Sequence, residues 1–228
     1  MVHVKAVCLD LDDTLWDLGP TIVRAERAVH DWFARHYPRI TQRFTPEAMR
    51  RLRFEVGLAH PDRGHDLPFL RQTTFARMAR ESGYDDSLAK AAFAEFQRVR
   101  NRLVLFDDVE PALARLARRG PLVALTNGTA DLAAIGLQQY FGAVFTAFAI
   151  GAAKPDARAF LSVSEALSLQ PGEILHAGDN PLSDVAGARA SGMQAVWVDR
   201  GLHAWPSSLE PATHRVADLA ALADLVGA

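Results

Sequence analysis

The sequence predicts an α/β protein: a Rossmann-like parallel-sheet core with helices on both faces, carrying an inserted all-helical segment. Three observations lead there. Over residues 107–228, short apolar runs alternate with helix-length amphipathic segments. Alternation of that kind, with short connections, builds right-handed crossovers and a parallel sheet. A similar apolar run at residues 4–9 supplies one more strand, and residues 17–106 contain no strand-like run at all. The expected division is a core of residues 1–16 and 107–228 and a helical insert of residues 17–106.

Taken in order, Val4-Lys5-Ala6-Val7-Cys8-Leu9 reads as a short buried strand. Helical spacing of Ile22, Val23, Val29, Trp32 and Phe33 predicts a helix over 20–37. Thr45-Pro46-Glu47 is a helix start, a capping residue followed by Pro at the first helical position. The polar loop 60–66 ends that element, and helices are expected over 67–81 and 86–102, for three to four in the insert. Thereafter helix 109–119 precedes strand 122–126 and a short helix precedes strand 144–150. Helix 157–167 precedes strand 173–177, and helix 182–191 precedes strand 194–198.

The bulk numbers narrow the function. A chain of 228 residues with 49% hydrophobic content can bury a sizeable core. A net charge of -2 argues against a nucleic-acid partner. The only cysteine, Cys8, lies inside the first apolar run and reads as a buried thiol in a reducing, cytoplasmic setting. Residues 132–153 carry no charge, yet Gly136, Gly142, Gly151 and Gln138-Gln139 break the stretch into helix end, turn and strand. No membrane partner is expected, and the assembly is read as a monomer or weak homodimer. Residues 17–106 have a net charge of +5 and the remainder -7. The acidic part holds the candidate cation site and the basic part would face an anionic substrate. A solvated helical surface accounts for most of those arginines.

The first strand runs into three carboxylates, Asp10, Asp12 and Asp13. Ionised carboxylates cost several kcal/mol to bury unless paired or bound to a cation. Asp10 and Asp12, two apart at a strand end, can point to the same side of the sheet edge where ligands bind in open α/β sheets. An Asp nucleophile, a second Asp as acid/base and a divalent cation are the parts for phosphoryl transfer through an aspartyl-phosphate. The second expected strand ends in Thr126-Asn127-Gly128, which suits phosphate oxygens or is an ordinary turn. Lys154, one of three lysines against 22 arginines, offers a compact charge after the third strand, or is a surface lysine before a helix-opening Pro. Asp179 and Asp184 follow the fourth strand and complete a Mg²⁺ site with Asp10, or else cap a helix and pair with a base. His60, His65 and Asp66 fit no zinc spacing and are read as a polar loop tip.

As a set these motifs, Asp10-Leu11-Asp12-Asp13-Thr14, Thr126-Asn127-Gly128, Lys154-Pro155 and Gly178-Asp179 with Asp184, resemble those of the haloacid dehalogenase-like (HAD) hydrolase superfamily. The resemblance implies a Rossmann-like core with a helical cap, Asp10 as nucleophile and Asp12 as acid/base. It also implies Mg²⁺ on Asp10, the Asp12 backbone carbonyl and Asp179, with Asp184 near or behind it. Thr126 and Asn127 would hold phosphate beside Gly128, and Lys154 would bridge to the nucleophile. The superfamily's 2-haloacid dehalogenases lack the second aspartate and need no Mg²⁺; retention of Asp12 favours a phosphatase of a small phosphorylated metabolite. A dehalogenase, or a nucleotide or sugar phosphatase, is the alternative. Further likeness, in Leu15-Trp16-Asp17, Arg24, Glu26-Arg27, His65-Asp66 and Glu173-Ile174-Leu175-His176, is to the bacterial phosphatases of flavin mononucleotide and of the riboflavin precursor 5-amino-6-(5-phosphoribitylamino)uracil. On that likeness Trp16 would stack on a substrate ring, while Arg24, His65 or Arg71 would hydrogen-bond its polar groups.

Overall fold

The computed structural model describes residues 2–228, which form two compact units. One, the sheet unit, comprises residues up to Asp17, Val104–Gly128 and Leu132–Ala228; the other, the helical unit, comprises Leu18–Leu103 with Thr129–Asp131.

Six strands make one parallel sheet: β1 (Ala6–Leu9), β2 (Leu122–Thr126), β3 (Ala143–Thr146), β4 (Ile174–Gly178), β5 (Gln194–Val198) and β6 (Arg215–Val216). Their spatial order is β3-β2-β1-β4-β5-β6. This is the doubly wound order, in which the chain reverses its direction of winding beside β1 and opens a crevice at the carboxyl edge. Leu9 pairs with Ala124 on one side and Ala177 on the other, so the ends of β1, β2 and β4 lie level. Alternate residues fill opposite faces. Ala6, Cys8, Val123, Leu125 and Ile174 pack in one cluster with Phe160 and Val163, while Val7, Leu9, Leu122, Ala124 and Leu175 are buried on the other side. Strands buried on both faces are the reason these runs are continuously apolar rather than alternating.

The helical unit holds α1 (Leu18–His36), α2 (Pro38–Arg43), α3 (Pro46–Ala59), α4 (Leu67–Glu81) and α5 (Leu88–Arg100). Thr45 caps α3 by accepting from the Ala48 N–H, and Asp66 caps α4 through Phe69. Ala25, Val29 and Phe33 of α1 recur at helical spacing and pack with Phe75, Met78, Ala92 and Phe96. There are five α-helices here, more than the three to four the sequence suggested: α2 is a six-residue element opened by Pro38, too short to show a period.

The sheet unit continues with α6 (Val109–Arg119), α7 (Leu132–Ile135), α8 (Ala147–Ile150), α9 (Ala157–Leu167), α10 (Gly187–Ala190) and α11 (Leu219–Val226). Two expectations need correction. Strand 144–150 ends at Thr146, where the chain turns into the single helical turn α8 and is closed by Gly151 at φ 80°. Ala147-Phe148-Ala149 lacks the β-branched residues that hold a strand, and glycine stops a helix at that position without steric cost. Helix 182–191 instead starts as a π-helical turn over Pro181–Ala186 before α10, which turns Asp184 inward. The edge strand β6 and the helix α11 were not anticipated. Among the described residues, no helix is long and apolar enough to cross a membrane.

Candidate active site

The loop that follows β1 carries the first carboxylates. Asp10 continues the strand by donating its N–H to Ala177 O (2.9 Å), and Asp13 then adopts a left-handed conformation (φ 61°) that turns the chain back on itself. Aspartate tolerates that region better than most residues. The turn is closed by Asp13 N–H on Trp16 O and by Leu15 N–H on Leu11 O. Thr14 is fully buried. Its Oγ1 donates to Asp179 Oδ1 (2.9 Å) and accepts from the Asp179 N–H (3.0 Å), tying the loop after β1 to the one after β4.

Lys154 lies at the centre of the cluster. Its Nζ is 2.6 Å from Asp10 Oδ1 and 2.6 Å from Asp184 Oδ1, and all three side chains are buried. Asn127 holds the lysine's backbone: its Oδ1 accepts from the Lys154 N–H (2.8 Å) and its Nδ2 donates to Lys154 O (3.0 Å). The amide expected on phosphate is thus spent largely on placing the lysine. Thr126 is buried and its Oγ1 accepts from the Gly128 N–H (2.9 Å). A Cβ on Gly128 would stand 2.0 Å from Asp12 Oδ2, so the Asp12 carboxylate lies directly over a position that only glycine leaves open. Gly178 serves the same purpose for Asp184, whose carboxylate would be 2.4–2.5 Å from an added Cβ.

Asp184 is saturated with donors. Its Oδ1 also faces His176 Nε2 (3.1 Å), and its Oδ2 accepts from the Asn180 N–H (3.0 Å). With the His176 proton placed on Nε2 by that contact, Nδ1 is left to accept from the Cys8 thiol at 3.3 Å. Burial holds His176 below the ordinary histidine value and pushes the Cys8 thiol far up. Cys8 is therefore an un-ionised, buried S–H.

Electrostatically the cluster has too little positive charge. Burial, which Lys154 only partly offsets, raises the Asp10 pKa well above the usual carboxylate range. Burial, with the Asp184 charge next, lifts Asp179 to about 6. Burial works against ionised Asp184 too, but Lys154 and His176 outweigh it and hold that carboxyl low. Asp10 and Asp184 together outweigh burial for Lys154 and keep it charged. Oxygen atoms of Asp10, Asp179 and Asp184 lie within 4.8 Å of one another. A buried, oxygen-only set with an excess of negative charge fits a hard divalent cation such as Mg²⁺. Because Asp184 already accepts from three donors, Asp10 and Asp179 are the better placed ligands. A second group, Asp13, Asp179 and His203, shares Asp179, whose Oδ2 is 3.1 Å from His203 Nε2.

Of the residues marked in the sequence, Asp10, Asp12, Thr126, Asn127, Gly128, Lys154, Asp179 and Asp184 all lie at the carboxyl edge of the sheet unit. Trp16 requires correction. Its side chain is fully buried and its indole Nε1 donates to Asp12 Oδ1 (2.8 Å), so it holds the carboxylate and has no free face on which a ring can stack. In the helical unit, Arg24 donates to Thr21 Oγ1 and Arg102 O, which commits its guanidinium to its own surroundings. His65 is half-buried in the loop before α4, and Arg71 lines a cleft between α3 and α4. The neighbours of His65 are structural: Asp66 caps α4 and pairs with Arg63, and His60 bonds Val56 O.

Sequence reasoning passed over Thr14, His176, Trp197 and Arg200. Trp197 Nε1 donates to Asp179 O, and Arg200 donates to Thr14 O while pairing with Asp108. Thr14 was visible inside the first motif. His176 was visible in the run before Gly178-Asp179, eight residues from its partner Asp184. Trp197 and Arg200 carry no local signal because their partners lie beside a neighbouring strand or more than ninety residues away.

The model of the haloacid dehalogenase-like hydrolases matches residues 4–192. The chain is 35% identical to the 5-amino-6-(5-phospho-D-ribitylamino)uracil phosphatase YigB of Escherichia coli K12, across 98% of this chain and 97% of that protein. It is 39% identical to a phosphoserine phosphatase of Thermus thermophilus, over 67% of this chain and 63% of the relative. Among solved structures it is similar to a 2-haloacid dehalogenase from Pseudomonas syringae pv. Tomato DC3000, with a TM-score of 0.92, 32% identity and 98% of each chain covered. With its α/β fold and clustered motifs, this chain belongs to the haloacid dehalogenase-like hydrolases, as an enzyme of their phosphatase kind.

Proposed function

We propose that this phosphatase is Mg²⁺-dependent, forms an aspartyl-phosphate on Asp10, and takes flavin mononucleotide or 5-amino-6-(5-phosphoribitylamino)uracil as substrate. In this reading the sheet unit is the catalytic core and the helical unit the cap. The observation that carries it is the separation of two carboxylates by environment: Asp10 sits on Lys154 Nζ at 2.6 Å, while Asp12 is held over Gly128 by the Trp16 indole. Two acids so differently placed suit two roles.

Phosphate-monoester hydrolysis is among the slowest uncatalysed reactions, so positioning and charge must supply most of the acceleration. Asp10 attacks phosphorus and the ester P–O bond breaks, with Asp12 giving its proton to the departing oxygen. Asp12 then takes a proton from the water that attacks the phosphorus of the acyl-phosphate, releasing phosphate and restoring Asp10. Lys154 balances charge beside Asp10, and the Thr126 hydroxyl, whose oxygen accepts from the Gly128 N–H, keeps its own proton to donate to a phosphoryl oxygen. Mg²⁺, held by Asp10, Asp179 and the Asp12 carbonyl, would offset charge on the phosphoryl oxygens, with Asp184 steadying Lys154 from behind. The riboflavin-type substrate is supported by the near full-length relationship to YigB.

The test is twofold. Asp10→Asn should abolish turnover of an aryl phosphate and Asp12→Asn should slow it by about 10²–10⁴-fold; near wild-type activity in Asp10→Asn refutes the covalent mechanism. For the substrate, flavin mononucleotide and the riboflavin precursor are compared with sugar phosphates and nucleoside monophosphates by kcat/KM. Far better turnover of another class ends the substrate assignment and leaves the mechanism standing. The similarity to the Pseudomonas dehalogenase favours a second reading, halide release from a 2-haloacid. Retention of Asp12 counts against it, and halide release without Mg²⁺ would establish it.

A further inference from the structure

The helical unit gathers three guanidinium groups around one shielded carboxylate. On α1, Glu26 is surrounded by three guanidinium groups from α3 and α4: Arg50 and Arg53 at 3.5 Å and Arg71 at 4.0 Å. Arg50 also pairs with Glu47 at 3.1 Å, so two carboxylates face three arginines and one formal positive charge is left over. Glu26 and Arg71 are largely shielded, with side-chain exposures of 15% and 12%. A separation of 4.0 Å is not a hydrogen bond, and among the described residues Arg71 makes none; its other close contact is the face of Phe96, 3.6 Å from the guanidinium carbon. Five N–H donors on a largely shielded guanidinium, none given to a protein acceptor, remain available to a ligand. Burial first, and then the Arg53 charge, push the Arg71 pKa down to about 9, more than Glu26 restores.

Those donors open into space. Arg50, Arg53 and Arg71 line a cleft with Phe75 and Thr74, and all three also line an adjoining cleft of about 340 Å³ between α3 and α4. The outer walls of the second are apolar and include Phe54, Leu58 and Leu67, which are exposed. Rigid guanidinium forks match the oxygens of carboxylate and phosphate, and Phe96 supports the plane of Arg71 from one side.

We propose that Arg50, Arg53 and Arg71 form an anion site in the helical unit for the carboxylate or phosphate group of a small organic molecule whose apolar body lies along Phe54, Leu58 and Leu67. This site uses none of the residues of the Asp10–Lys154 cluster and stands whichever phosphate ester the core hydrolyses. The anion has two sources: a second acidic group on the substrate, or a separate anionic metabolite. Flavin mononucleotide carries its formal charge on the phosphate alone, so with that substrate the anion is a second molecule.

Isophthalate, a flat ring with two carboxylates and no phosphate, is the probe, titrated calorimetrically into the full chain without Mg²⁺. Saturable binding that weakens with added salt is expected, with at least about a tenfold loss of affinity in Arg71→Gln and in Arg53→Gln, the scale of one charge-assisted hydrogen bond. Melting curves establish that each variant is folded; should Arg71→Gln not fold, the more exposed Arg53 and Arg50 carry the same test. Absence of binding, or full affinity in these variants, overturns the proposal. So does loss of binding in Asp10→Asn with retention in Arg53→Gln, which would put the probe at the phosphoryl site. Inhibition of 4-nitrophenyl phosphate turnover assigns the source: a competitive pattern identifies the substrate's own acidic group, and a non-competitive or activating one a separate ligand, each supporting the site.

Discussion

Asp12 shows how much a single position depends on its neighbours. The carboxylate is clasped by the Trp16 indole and lies over Gly128, where an added Cβ would stand 2.0 Å from its Oδ2. Gly128→Ala should displace the carboxylate and lower kcat by about 10²–10⁴-fold, the range for losing general acid–base assistance. Far-UV circular dichroism and melting should report a folded protein. Lys154 makes a different prediction because it pairs with two buried aspartates at once. Lys154→Ala should cost about 10²–10³-fold in kcat, as for one preorganised electrostatic partner. It should also lower Tm, since Asp10 and Asp184 then lose their only ammonium partner. Lys154→Arg should rescue little, because a planar fork cannot place one nitrogen 2.6 Å from both Asp10 and Asp184 while Asn127 clamps its backbone. Near-complete rescue by Arg would show that charge matters there and geometry does not.

Between elements, the loop after β5 is locked to the start of α6. Arg200 donates to both oxygens of Asp108 at 2.8 Å, stacks on Phe106 and reaches Thr14 O; Asp108 also accepts from the Leu219 N–H that begins α11. One ion pair therefore joins α6, α11 and the loop carrying Thr14. Burial opposes the Asp108 charge, but Arg200 and the Leu219 N–H outweigh it and leave the carboxyl below its ordinary value. A depressed native pKa contributes stability above the unfolded-state value of about 3.9, and that contribution is lost as pH falls through the folded pKa. Asp108→Asn should thus cost about 2–4 kcal/mol at neutral pH, the range for breaking a mostly buried charged pair. The difference in Tm between wild type and variant should shrink below about pH 4. A gap that stays constant down to pH 3 would assign the loss to packing instead of charge.

At the scale of the molecule, the acidic edge of the sheet ought to make stability depend on metal. Asp10, Asp179 and Asp184 converge without enough positive charge, and burial raises the first two. A cation that binds only the folded state adds about 2.7 kcal/mol at a hundredfold excess over its Kd. At about 2–4 °C per kcal/mol for a domain of this size, calorimetry should find Tm higher by about 5–10 °C with Mg²⁺ than with chelator. In Asp179→Asn that increment should largely vanish. An unchanged Tm on adding Mg²⁺ to the wild type would refute the metal site.

Composition and pattern were enough for much of this. Continuous apolar runs alternating with amphipathic segments specify a parallel sheet, because strands covered on both faces must be apolar throughout. The same runs end in Asp10, Thr126 and Gly178-Asp179, so the carboxyl edge could be read as a site before its geometry was known. Elements with little period escaped: α2, β6 and the turn of α8 are too short for hydrophobic spacing to mark them, and the π-helical turn at Pro181–Ala186 looks like ordinary helix in sequence. Trp16, beside the first motif, reads from the sequence as a residue that stacks on a substrate ring. Only the tertiary structure decided for core, by burying it and directing its N–H to Asp12. It alone decided that Asn127 would clasp Lys154, that Arg200 would reach Thr14, and that Arg50, Arg53 and Arg71 would crowd one glutamate. Hydrophobic periodicity is set by local geometry and is written along the chain; the partner of a polar side chain is set by where distant segments meet, and no local pattern records it.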